Sequence, residues 1–310
     1  MQGSSITENR MVFVPCNICG SSRYLEICDI EISPIFRPSK LVRCGECGFF
    51  YANPRPEKNT EEDYYRTHYH QDQRENYWYE ARIDVFERLL REVKKFLKNG
   101  KLLDIGCGMG YFMELAGRNG WEARGVEISG YAASYARDKL GLKVIKGTFQ
   151  DARLEKEYFD VATMWNVLDQ AYDAKANLAE SNRVLKKGGY IFLRMPNIDF
   201  HLRLSVFYNK LKRHLKGIKS SPAVFHLYSF DKNSIKKLLE VTGFSLVAVK
   251  AERLGENAPG LIEIFGKKRE KAARKFFNLI GKALYLLSFK RFIISPSIFV
   301  VARKESDLRK

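Results

Sequence analysis

The run Leu102-Leu103-Asp104-Ile105-Gly106-Cys107-Gly108-Met109-Gly110 restricts the fold more than any other stretch of this chain. Apolar residues end in an acid, and three glycines follow at alternate positions. A buried strand that stops this way hands the chain to a tight loop whose backbone can approach a ligand where side chains would clash. Tyr111 to Asn119 then reads as a helix with Phe112, Leu115 and Ala116 on one face. A second strand, Glu122 to Val126, ends in Glu127. Apolar segments at 143–146, 159–164, 190–194, 244–249 and 297–303 continue the alternation. Residues 80–98 and 231–242 read as helices, the second capped by Ser229 or Asp231. Short strands separated by helices predict an α/β protein with a mostly parallel seven-stranded sheet covered on both faces.

The loop spacing is GxGxG, not the GxGxxG of a pyrophosphate site. Asp104 beside it would repel a pyrophosphate and attracts a cation. S-adenosylmethionine, with a sulfonium and an amino group both positive, meets that demand. An acid closing the second strand is placed to take ribose hydroxyls. On these residues the chain resembles the class I S-adenosylmethionine-dependent methyltransferases, whose loop reads hhDhGxGxG before an acid at the end of strand two. The resemblance continues through Lys146 to Ala152, Phe159 to Leu168 and Asn182 to Leu193. It implies a Rossmann-like sheet and a cofactor site of Asp104, Gly106, Cys107, Gly108, Gly110, Glu127, Ile128, Thr148, Phe149 and Asn166. In that site Asp104 and the glycines surround the methionine moiety, Glu127 binds the ribose, and Thr148 and Phe149 meet the adenine. Similar enzymes commonly read VLEH after strand four; this chain has Val167-Leu168-Asp169-Gln170, without the histidine.

Cys16-Asn17-Ile18-Cys19 and Cys44-Gly45-Glu46-Cys47 are two CxxC pairs separated by 24 residues. That spacing lets four thiolates surround one tetrahedral Zn2+, with Gly20, Gly45 and Gly48 suiting the tight knuckles. The segment between them is short in core residues, so the metal would supply much of its folding energy. Four thiolates leave no open position, so the zinc is expected to be structural. Cys28 is expected to pack, and Cys107 to be chosen for its small size. Cysteine usage without a secretory h-region points to a reducing, cytoplasmic setting.

The net charge of +17 is unevenly spread. Residues 201–310 hold 24 Lys and Arg against 8 acids, while residues 1–200 hold 29 against 28. Such a local field implies an anionic partner. Segments 200–220 and 266–292 have the pattern of basic amphipathic helices. Both flank the carboxyl edge of the sheet, where ligands of open α/β folds bind. The second offers a face for peripheral membrane contact, through Phe276, Phe277, Ile280, Leu284 and Leu287.

The expected organisation is a zinc ribbon over 1–60, an aromatic-rich connector or lid over 61–98 and a methyltransferase core over 99–310. The connector carries Tyr64, Tyr65, His68, Tyr69, His70, Tyr77, Trp78 and Tyr79. Methyl transfer to a hydroxyl needs a proton acceptor. His226 in Phe225-His226-Leu227-Tyr228-Ser229-Phe230 is the leading candidate, because similar enzymes often carry HL followed by an aromatic there. Tyr228, His201, Asp169 and the aromatic cluster at 64–69 follow. The expected substrate is a small or glycosidic metabolite, anionic, in some cases nucleotide- or lipid-linked. The rivals are a ribosomal RNA methyltransferase and a non-catalytic binding protein that kept the fold. Against RNA, the ribbon region is nearly neutral and the basic excess lies far from it.

Overall fold

Apolar alternation becomes visible architecture at β6 (Gly100–Ile105). Leu102 faces one side of the sheet and Leu103 the other, and both are fully buried, so the strand is covered twice. The computed structural model describes residues 10–30, 39–59, 64, 66, 75–214, 223–252, 272, 275, 279 and 295–305, without the side chains of 75–81, 208 and 211–214.

Five strands run parallel: β6, β7 (Trp121–Glu127), β8 (Lys143–Lys146), β9 (Phe159–Trp165) and β10 (Leu185–Pro196). Strands β12 (Phe244–Glu252) and β13 (Ser297–Lys304) complete the sheet, with β13 antiparallel to both its neighbours. The order is β12-β13-β10-β9-β6-β7-β8. The chain moves outward from β6 to β8 and then returns to lay β9 on the other side of β6. That reversal opens a crevice at the carboxyl ends of β6 and β9, where such folds bind ligands. Helices α1 (Glu75–Val93) and α2 (Tyr111–Arg118) supply Leu89, Leu90, Val93, Phe112 and Ala116 to one face. Helices α4 (Ala174–Val184) and α6 (Lys232–Val241) supply Leu178, Ile235, Leu238 and Leu239 to the other. Helix α3 (Gly130–Asp138) follows β7.

Two sequence expectations shift here. Asp231, not Ser229, caps α6, through a capping box with Ser234; Ser229 is instead paired in a strand. Segment 190–194 is the centre of a longer strand that begins at Leu185, with a register shift between Leu185 and Tyr190. Within the 200–220 segment, α5 (Ile198–His214) is helical. Most of 266–292, together with Tyr65, His68, Tyr69 and His70, lies outside the described residues, as do the side chains of Tyr77, Trp78 and Tyr79. Among the described residues no helix is long and apolar enough to cross a membrane.

The N-terminal residues build a second sheet from β2 (Tyr24–Ile30), β3 (Ser39–Cys44) and β4 (Phe50–Ala52), all antiparallel. Its last strand comes from far along the chain: β11 (Tyr228–Ser229) pairs with β4, Tyr228 opposite Tyr51 and Ser229 opposite Phe50. A short pair, β1 (Met11–Val12) and β5 (Arg55–Pro56), flanks it. Phe49 stacks on Tyr228 and packs against Phe230, with ring centroids 5.6 and 5.2 Å apart. One apolar cluster therefore runs from Cys16, Val42 and Phe49 into Leu168, Ile191 and Leu193 of the large sheet.

Candidate active site and cysteine cluster

Asp104 sits at the end of β6 with its carboxylate buried, and Thr163 of β9 donates to Oδ1 at 2.6 Å. Glu127 closes β7. Its Oε2 accepts the Gly108 N–H and its Oε1 the Ser129 N–H, each at 2.8 Å. The second acid thus ties the glycine loop to the start of α3. Burial pushes Asp104 up to about 7, with Glu127 adding repulsion and the Thr163 bond opposing it. Burial also raises Glu127, while amides of Ser129, Gly108 and Ile128 pull it back. Two buried acids at adjacent strand ends favour a cationic ligand.

Gly106 has φ +67°, and a Cβ there would lie 2.5 Å from Cγ2 of Val167. Any other residue would have to displace the Val167 side chain in the loop after β9. Cys107 is buried against Gly125, and burial beside Glu127 and Asp104 holds its thiol well above the usual range, so it is not a nucleophile.

The adenine expectations fare differently. The Thr148 hydroxyl donates to Asp151 Oδ2 at 2.6 Å and closes the 148–151 turn. Phe149 is 4% exposed and packs in the main apolar cluster. Asn166 has φ +58°, and its Oδ1 accepts from Arg194 Nη1 at 2.6 Å, so this oxygen is turned to β10.

At the acceptor edge the three proposed bases separate. The Tyr228 hydroxyl donates to the Tyr172 carbonyl at 2.9 Å and accepts from Arg55 Nη1 at 2.8 Å, in a fully buried position. It joins the two sheets, and its expectation as a catalytic group is corrected. His201 has both ring nitrogens in use: Nε2 lies 2.9 Å from the Pro296 carbonyl, and Nδ1 accepts the Val224 N–H at 3.2 Å. Burial lowers it to about 4. It is a neutral pin and has no lone pair to offer. His226 alone stays partly open, with 24% of its side-chain surface accessible. Its Nε2 stands 3.6 Å from Oδ2 of Asp169, which is buried. Arg194, a guanidinium in the otherwise apolar run Tyr190 to Pro196, was missed from sequence. A charge in a central strand was the available signal, because such a residue must be buried among partners.

The four thiols of Cys16, Cys19, Cys44 and Cys47 lie within 4.8 Å of one another. Cys16 and Cys47 are 3.4 Å apart at sulfur, and Cys19 and Cys44 3.6 Å. A tetrahedral zinc with bonds of about 2.3 Å needs sulfurs roughly 3.8 Å apart, so the set fits a metal ion. The two knuckles are alike. Gly20 and Gly48 both have φ +76° and donate back to Cys16 and Cys44. Gly45 does not have positive φ; it packs on Arg23. The Cys44 thiol is lowered to about 7; backbone amides of Cys47 and Glu46 and bonds from neighbouring thiols outweigh its burial. Both knuckles are tied to the large domain, Asn17 to Asp173 and Lys175 at the start of α4, and the Cys47 carbonyl to Lys237 of α6.

A seven-stranded sheet with this strand order, an acid-bearing glycine loop and a second acid on β7 define a Rossmann-like methyltransferase. The chain belongs to the methyltransferase domain family, whose model matches residues 77–249. It is 28% identical over 199 residues to an uncharacterized protein of Methanocaldococcus jannaschii, covering 57% of this chain and 94% of that one. It is 33% identical over 112 residues to a ubiquinone biosynthesis O-methyltransferase of Pelagibacter ubique, covering 35% of this chain and 47% of that protein's length. The match thus spans about half of that enzyme. The fold also matches a chain of the solved complex between the Haloferax volcanii Trm112 methyltransferase activator and a methyltransferase. There the TM-score is 0.53 at 14% identity, over 79% of this chain and 98% of that one.

Proposed function

We propose that this protein transfers the methyl group of S-adenosylmethionine to a hydroxyl of a small or glycosidic anionic metabolite, with zinc on the four cysteines as a structural ion. The observation that carries the cofactor assignment is the pair of buried acids, Asp104 and Glu127, at adjacent strand ends around a glycine loop. When bound, the cofactor supplies an activated methyl and a neutral sulfur leaving group. Asp104 neutralises its cationic end. Glu127 binds the ribose while holding Gly108 and Ser129 in place. His226 accepts the acceptor's proton. O-methylation is favoured by the Pelagibacter ubique relative, an O-methyltransferase by name. The basic excess in residues 201–310 favours an anionic acceptor, or a lipid surface that carries it.

The test uses cofactor with a labelled methyl and an extract split into small-molecule, lipid and RNA fractions. Label is expected in the first or second. Label confined to RNA would replace the acceptor with a ribosomal substrate. No transfer to any fraction, with the cofactor still bound, would leave a binding protein.

A further inference from the structure

We infer that Asp169 is a positioning residue that pairs with His226 to form the proton acceptor of the transfer. The inference rests on the methyltransferase reading above, and on His226 facing the acceptor.

Three observations place the pair. Asp169 follows β9 at the carboxyl edge of the sheet, next to the position where the expected histidine is replaced by Gln170. The structure brings a histidine there from another segment, with Nε2 of His226 3.6 Å from Oδ2 of Asp169. The backbone fixes this approach, because the Tyr228 N–H donates to the Asp169 carbonyl at 3.0 Å and the Ala52 N–H to the Leu227 carbonyl at 2.9 Å. The segment holding His226 is therefore clamped between the cysteine-rich sheet and the loop after β9. Third, both carboxylate oxygens of Asp169 are buried, and beyond the residue's own backbone N–H no hydrogen-bond donor reaches them. Among the described residues with such unpartnered atoms, Asp169 is the only one with two. A purely structural carboxylate would use its oxygens, since leaving them bare costs free energy.

A small rotation of the ring lets Nε2–H donate to Asp169, which fixes the tautomer and leaves the Nδ1 lone pair for the acceptor. In the transfer, the acceptor oxygen gives its proton to Nδ1 and forms a bond to the methyl carbon. The carbon–sulfur bond breaks, its electron pair stays on sulfur, and the imidazolium that results lies beside the Asp169 carboxylate. Burial lowers His226 to about 4 and raises Asp169 to about 7, so the neutral ring meets an ionised partner only above about pH 7. Arg194 faces Asp169 from β10 and favours the carboxylate, and is itself near Glu252 of β12 and Arg88 of α1. His201 of α5 faces His226 but is neutral over this range.

The experiment follows the imidazole nitrogens of the full-length protein by NMR, with histidine labelled and S-adenosylhomocysteine as the probe ligand. His226 should be protonated at Nε2 and show a step near pH 7 without becoming imidazolium, and Asp169→Asn should abolish the step. His201 serves as the unmoved reference. In the labelled-methyl assay, Asp169→Asn should lose about a hundredfold in rate and the rise through pH 7, with calorimetric cofactor affinity unchanged. A His226 protonated at Nδ1, no step in the native protein, or a step that survives in the variant overturns the pair. The native titration decides this even if the variant does not fold. Loss of cofactor binding by the native protein would instead overturn the methyltransferase reading.

Discussion

The two sides of the crevice, to which the proposed function gives the cofactor and the acceptor, are built in different ways. Around β6 and β7, Asp104, the three glycines, Glu127 and Ser129 come from fewer than thirty consecutive positions, and the side-chain hydrogen bonds of the two acids stay within that stretch apart from Thr163. Across the crevice, Asp169, Arg194 and His226 come from three separated segments, and the first N-terminal sheet holds the last of them. A local site needs only its own turn chemistry. A dispersed site inherits the stability of whatever brings its segments together. Damage to the N-terminal sheet should therefore harm the acceptor half first and leave cofactor binding last.

Metal removal is the strongest way to break that contrast. Structural zinc sites contribute on the order of 10 kcal/mol to their modules. A chelator strong enough to strip the cysteines, or Cys44→Ser, should unfold the N-terminal sheet and abolish transfer, while calorimetry still finds cofactor affinity within about threefold. Elemental analysis should first give one zinc per chain. Equal loss at both halves would show that they are not separable.

Phe49→Ala is the next lever. The ring is fully buried between Tyr228 and Phe230, so truncation should cost about 3–5 kcal/mol in denaturant unfolding. Its effect on turnover should exceed its effect on cofactor affinity. The reverse order would contradict the division.

Glu127→Ala attacks the local half. Removing about 1.5–3 kcal/mol for each charge-assisted bond to the ribose should weaken cofactor binding at least tenfold. Unchanged affinity would refute the ribose assignment.

The smallest effect is a proton. Asp104 is raised to about 7 from an ordinary 3.8. The folded free protein therefore holds this proton more tightly than the unfolded chain. Its contribution to stability is present below about pH 4 and is lost as pH rises through about 7. A cation beside Asp104 reverses the preference, so binding below pH 7 should release up to one proton and tighten as pH climbs to 8. Calorimetry in buffers of different ionisation enthalpy reads this directly. Proton uptake would mean that no cation lies at Asp104.

The sequence-legible part follows the same division. The mostly parallel sheet, the glycine loop with its two acids at the strand ends and the cysteine quartet were readable because each is set by spacing along a short stretch. Phe149 is buried in the main apolar cluster, and an aromatic after a strand reads alike whether it fills a core or meets a base. Tyr228 and His201 lie on the correct edge but turn inward, and their hydrogen-bond partners at Tyr172, Arg55, Pro296 and Val224 carry no mark in the sequence. The meeting of Asp169 with His226 depends on the pairing of β4 with β11, a contact between remote residues that no local pattern encodes.

That pairing also bears on how the chain is assembled. The Arg55–Tyr228 bond spans 173 residues, and closing a loop of that length costs about 4–5 kcal/mol of chain entropy. During synthesis the N-terminal sheet emerges early, yet β4 must wait as an unpaired edge until residues 228 and 229 leave the ribosome. An open edge is a template for the wrong partner. The clasp that fixes the acceptor edge in the finished protein thus leaves the nascent chain, for most of its synthesis, with an exposed strand to guard.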